Sequence, residues 1–146
     1  MPSTKLSDLH PHLQSLAAMF LARCKERGLI IQVTCTYRSP AEQNSLFAQG
    51  RTKKGPIVTK ARGGQSEHNF EIDGKPAAKA FDIVPLNEKK QMIWNTSDPA
   101  WKMIREIWNE GFGYTDKEGQ EWYLDWLGRP NTPFLDMPHF SLKKEK

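Results

Sequence analysis

The stretch LIIQVTCTYR, residues 29–38, constrains the fold more than any other. Ile31, Val33, Cys35 and Tyr37 fall on one side, and Gln32, Thr34, Thr36 and Arg38 on the other. A period of two with one apolar side specifies a half-buried strand. Both neighbours are helices with marked ends. Residues 8–28 place Leu13, Leu16, Ala17, Phe20, Leu21 and Cys24 on one helical face, and Gly28 supplies a stop. After the strand, Ser39 and Glu42 form a capping box, Pro40 takes the first helical position and Gly50 closes the helix.

Residues 51–65 are rich in Lys, Arg and Gly and read as an exposed loop. AFDIV, residues 80–84, is a short apolar run suited to a strand. DPAWKMIREIWNEG is a helix capped by Ser97 or Asp98, started by Pro99 and striped by Trp101, Ile104 and Trp108. DMPHFSL reads as a final strand. The order α-β-α-loop-β-α-β predicts an α+β fold, a small and mostly antiparallel sheet flanked by helices. A length of 146 residues, with no repeat or linker, predicts one domain over 1–146.

Apolar residues make up 38% and charged residues 26%, with five Trp and seven Phe, which excludes a disordered chain. The net charge of +4 favours an anionic partner without choosing one. Cys24 and Cys35 form no CxxC pair and read as small apolar core residues. The start shows no charged and apolar leader pattern, and no apolar run approaches a membrane span. The chain is expected to be made in the cytoplasm.

Of four histidines, His10 and His12 sit around the first turn of the first helix and read as surface or capping residues. His68 and His139 lie beside strands with carboxylates near. Two imidazoles and a carboxylate, with one position open, suit a catalytic zinc ion. Spacing alone leaves Glu71, Asp73 and Asp82 as candidate carboxylates. Asp82 is preferred, because a carboxylate in an apolar strand is costly unless paired. Asp73-Gly74 is explained by a turn, and Glu67 and Glu71 as solvated groups. Asp136, three residues before His139, is placed to act as a base. Arg38 could stabilise a developing oxyanion.

Four short motifs in order carry a family resemblance: Arg38-Ser39 with Gln43, Ser66-Glu67-His68-Asn69, Ala80-Phe81-Asp82, and Asp136-Met137-Pro138-His139. Over residues 8–142 the chain resembles the zinc peptidases of the D-alanyl-D-alanine carboxypeptidase and L-alanyl-D-glutamate endopeptidase family, which includes phage endolysins. The resemblance implies a Hedgehog/DD-peptidase-like fold and Zn2+ held by His68, Asp82 and His139. It implies Asp136 as general base, and Arg38 as both substrate-binding and oxyanion-stabilising. Gln43 would contact substrate, and Ser66 would support the site by hydrogen bonding. Two departures are Lys79, where the family has Gly before Ala-x-Asp, and a longer His68-to-Asp82 spacing, read as a hairpin insertion.

Within the family, Asp-x-x-His with Pro before the histidine resembles the endopeptidases. The expected activity is therefore cleavage of the L-Ala–D-Glu bond in the peptidoglycan stem peptide. A D,D- or L,D-carboxypeptidase and a non-catalytic zinc-binding Hedgehog-like module are the alternatives. The expected protein is a monomer acting on the cell wall in the periplasm after release through a holin. It has no nucleic-acid partner and no membrane insertion. The basic loop at 51–62 is expected as a flap over the cleft, with Trp94, Trp122 and Trp126 able to wall it.

Overall fold

A computed structural model describes residues 2–128 and 137–144. Three helices, α1 (Pro11–Glu26), α2 (Pro40–Ala48) and α3 (Pro99–Trp108), accompany seven strands. These are β1 (Ile30–Cys35), β2 (Glu71–Ile72), β3 (Lys75–Pro76), β4 (Ala80–Leu86), β5 (Gly113–Thr115), β6 (Glu121–Trp126) and β7 (His139–Lys144). Five strands form one antiparallel sheet in the order β1-β4-β7-β6-β5, and β2 and β3 pair as a separate hairpin. This is the expected α+β architecture.

The helix ends follow their sequence signals. Ser39 accepts from the Glu42 amide, and the Glu42 carboxylate returns to the Ser39 amide. Asp98, rather than Ser97, caps α3. His10 caps α1 through its ring, accepting from the His12 amide. Asp73 and Gly74 both take positive φ, 52° and 76°, at the tip of the β2–β3 hairpin. A two-residue turn of that kind matches strand twist.

Alternation along the strands separates a core face from a cleft face. Phe81, Phe140 and Trp126 are register partners on β4, β7 and β6. Their rings lie nearly parallel, with centroids 5.5 and 5.8 Å apart, and Phe20 of α1 packs on Phe140 at 4.8 Å. All four side chains are fully buried, beneath α1 and α3. The next residues, Asp82 and His139, also pair in register and therefore face the other way.

In its strands and core the structure departs from the sequence reading at three places. The β5–β6 hairpin was not anticipated. Trp126 lies in the core and Trp122 stacks on His12 at 4.4 Å, so neither walls the cleft. Cys35 does not share the Val33 face, because β1 bulges between them: Val33 pairs with Ile83 and Cys35 with Asp82. Two residues on β1 there answer a single step on β4, which turns Cys35 onto the Asp82 face. Thr36 is turned inward by the same bulge, fully buried, with no hydrogen-bond partner for its hydroxyl among the described residues.

Candidate active site

Each candidate ligand sits where the backbone fixes it. His68 rides on a three-residue 3-10 turn, Glu67–Asn69, held at its start by a reciprocal capping box between Ser66 and Asn69. Ser66 Oγ accepts from the His68 amide at 3.2 Å. Asn69 Oδ1 accepts from the amides of Gly64 and Ser66, and its Nδ2 donates to the Arg38 carbonyl at 2.8 Å. The Arg38 amide donates back to the His68 carbonyl at 2.9 Å. The two polar segments are thereby tied backbone to backbone. Asn69, only 5% exposed, is a supporting residue that the sequence reading missed.

His68 Nε2 lies 3.4 Å from Asp82 Oδ2, and His139 Nδ1 lies 3.2 Å from Asp82 Oδ1. Donors at about 2.0–2.1 Å from a tetrahedral metal lie about 3.3 Å from one another. The far nitrogens are also engaged. His68 Nδ1 meets the Thr36 carbonyl at 2.8 Å, and His139 Nε2 meets Glu67 Oε1 at 3.3 Å. Partners on the outer nitrogens leave the inner ones turned toward Asp82, the arrangement that ligating histidines use. Asp73 stands at the exposed tip of the β2–β3 hairpin, away from this group. His68, Asp82 and His139 therefore fit a zinc ion in donor type and spacing.

Charges inside the site reinforce one another. Burial would lower the pKa of His68, but the Asp82 carboxylate outweighs it and raises the value to about 10. His139 is likewise lowered by burial but raised overall, to about 9, by Asp82 and Glu67. Burial opposes ionisation of Asp82, yet hydrogen bonds from His139 and His68 hold its carboxyl well below the usual range. Glu67 was expected to be solvated. It is instead half-buried, bonded to His139 and paired with Lys143 at 3.3 Å, and its pKa is lowered despite the burial.

A second donor set overlaps the first. Cys35, His68 and Asp82 each offer one atom within 4.8 Å of the others. Cys35 Sγ approaches His68 at Nδ1, 3.5 Å away, and that nitrogen already meets the Thr36 carbonyl. Nε2, the nitrogen turned to Asp82, is the better placed ligand, and it points into the set that includes His139.

The three residues open onto a cleft of about 450 Å³. Arg38, Gln43 and Ser66 line it, with Leu46, Val58 and Leu127 as apolar walls. Arg38 Nη1 donates to Gln43 Oε1 at 3.0 Å, and Nη2 lies 3.5 Å from Cys35 Sγ. Gln43 is 1% exposed, and its Nε2 donates to the Ala61 carbonyl and Thr59 Oγ1 at 2.8 and 3.2 Å. Its amide is committed to the protein at both ends, holding Arg38 on one side and the 51–65 loop on the other. That loop contributes Val58 and Thr59 to the rim, as a flap would. Gly63 is required where it runs past α2, because a Cβ there would meet the Pro40 carbonyl at 2.4 Å. Asp136 lies outside the described residues.

No described helix is long and apolar enough to cross a membrane. A sequence model of the VanY family, described as D-alanyl-D-alanine carboxypeptidase, matches residues 6–126, which takes in Arg38, His68 and Asp82. The peptidoglycan L-alanyl-D-glutamate endopeptidase CwlK of Bacillus subtilis (strain 168) is 34% identical over 131 residues. That alignment covers 90% of this chain and 74% of CwlK. With both matches spanning most of its length, the chain belongs to the D-alanyl-D-alanine carboxypeptidase family of peptidases.

Proposed function

We propose that this chain, as one domain, is a zinc-dependent peptidoglycan hydrolase that cuts the L-Ala–D-Glu bond of the stem peptide. The observation that carries the reading is the convergence of His68 Nε2, Asp82 and His139 Nδ1, with both outer nitrogens already partnered. The specificity of CwlK and the Asp136-Met137-Pro138-His139 run support the endopeptidase assignment.

Zinc held by these three side chains would supply a Lewis acid and a water of lowered pKa. Asp136 is assigned the proton of that water as general base. Arg38, held rigid by Gln43, faces the cleft as a fixed cation, suited to a substrate carboxylate or to the charge that builds on the scissile carbonyl oxygen. Ser66 acts through the backbone of His68.

Digestion of purified peptidoglycan, with and without a chelator and read by mass spectrometry, tests the proposal. New amino-terminal D-Glu and stems ending at L-Ala are expected only without chelator. The family's carboxypeptidase description favours a second reading, for which released free D-Ala would be the sign. Full cleavage in the presence of chelator would refute the metal-dependent mechanism.

A further inference from the structure

Glu67 shares its short turn with His68 but reaches a different strand. Its Oε1 lies 3.3 Å from His139 Nε2 and its Oε2 lies 3.3 Å from Lys143 Nζ. His139 and Lys143 are four residues apart on β7 and so project on the same face of the sheet. A neutral imidazole carries a single proton, on one nitrogen or the other. A group that accepts the Nε2 proton therefore leaves the lone pair on Nδ1, the nitrogen 3.2 Å from Asp82. His68 has the same service from a backbone carbonyl, that of Thr36. The two imidazoles use opposite nitrogens toward Asp82, so each needs its own acceptor on its own outer side.

We propose that Glu67 is the positioning residue for His139, selecting the tautomer and ring orientation in which Nδ1 can bind the metal. The inference rests on the zinc-peptidase reading. Lys143 aims the carboxylate: with one oxygen on its ammonium, the other is left directed at the imidazole. The turn that presents one ligand thus also orients the next, and the 3-10 cap at Ser66 serves both.

Zinc affinity of the wild type, Glu67→Gln and Glu67→Ala, measured by competition with a chromophoric chelator, tests this without any substrate. Loss of an outer partner of a ligating histidine weakens binding about 10- to 100-fold, and that is the effect expected for Glu67→Ala. Glu67→Gln keeps the size but has a single acceptor oxygen; the Lys143 ammonium takes it and turns the NH2 toward Nε2, so this variant should bind as weakly as Glu67→Ala. Nitrogen-15 spectra of the zinc-loaded proteins should show a slowly exchanging His139 Nε2 proton in the wild type, lost in both variants. Equal affinity in the wild type and Glu67→Ala would overturn the role of Glu67 and leave the peptidase reading intact. A Gln variant that binds zinc as tightly as the wild type would overturn tautomer selection by an acceptor. A wild type that takes up no zinc would overturn both.

Discussion

Asp82 and His139 are paired residue to residue across β4 and β7, with carboxylate and imidazole 3.2 Å apart on the cleft face. Register places the pair there: the neighbouring partners, Phe81 and Phe140, must stack in the core, so Asp82 and His139 must face out. A one-residue slip would set an aromatic of one pair against a polar residue of the other, which the buried aromatic face forbids. Asp82→Ala should therefore remove metal binding and activity while leaving the fold in place. The loss in zinc affinity should exceed the roughly 10- to 100-fold typical of an outer partner. Asp73→Ala, at the hairpin tip, should keep its zinc but lose about 1 kcal/mol of stability, because Ala is strained at the positive φ of 52°. Zinc content after gel filtration distinguishes the two. An Asp82→Ala protein that retains zinc while Asp73→Ala loses it would reverse the assignment.

Proton linkage provides a second check. His68 is raised to about 10 and His139 to about 9, so both imidazoles hold their protons at neutral pH in protein stripped by a chelator. Binding through Nε2 of His68 and Nδ1 of His139 must displace those protons. Calorimetry at pH 7 in buffers of different ionisation enthalpy should report about two protons released per zinc. For stripped protein, the raised histidine values contribute stability that is fully present below their ordinary 6.5 and is lost as pH rises through 9 to 10. Asp82, held low, contributes above its ordinary 3.8, and that contribution is lost in strong acid. The melting temperature of chelated protein should therefore fall between pH 8 and pH 10. A flat profile across that interval would contradict the charge arrangement.

What was legible in the sequence was what is local. The Ser39–Glu42 capping box, the Asp73-Gly74 turn and the α1 and α3 stripes each lie within a few residues, and the structure contains them. The β5–β6 hairpin escaped because β6 buries Leu124, Asp125 and Trp126 in succession, which erases the alternation that marks a strand. The bulge in β1 escaped because an extra residue exists only relative to the partner strand, and Cys35 was placed on the wrong face for that reason. Glu67 looked like a solvated neighbour of His68; its partners, His139 and Lys143, are 72 and 76 residues away.

Gln43 couples the flap to Arg38, and substitution should show both effects. Gln43→Ala leaves the Ala61 carbonyl and one arm of Arg38, both part-buried beside the cleft, without their partner. An unsatisfied buried polar group costs about 1–3 kcal/mol, and a loss of that size is expected in denaturant unfolding. Freeing Arg38 should also raise KM, with a smaller effect on kcat if the cation mainly binds a ground-state carboxylate. Arg38→Lys should not rescue, because an ammonium cannot keep the planar contact to Gln43 and face the cleft at once. Unchanged KM in Gln43→Ala would separate the loop from substrate binding.

Cys35 decides between the two overlapping donor sets. If the metal is held by His68 Nε2, Asp82 and His139 Nδ1, the thiol is a buried bystander turned onto the Asp82 face by the bulge. Cobalt-substituted protein then lacks a thiolate charge-transfer band, and Cys35→Ser binds zinc as the wild type does. If Cys35, His68 and Asp82 hold the metal instead, the band is present and disappears in Cys35→Ser. The first outcome is expected, because ligation through His68 Nδ1 would break its 2.8 Å contact with the Thr36 carbonyl. That carbonyl is buried beside a hydroxyl that already has no partner among the described residues, so a second unsatisfied group there would add a further cost of about 1–3 kcal/mol. Each set has three donors and leaves a fourth position open for water, so coordination number does not separate them and the thiolate band does.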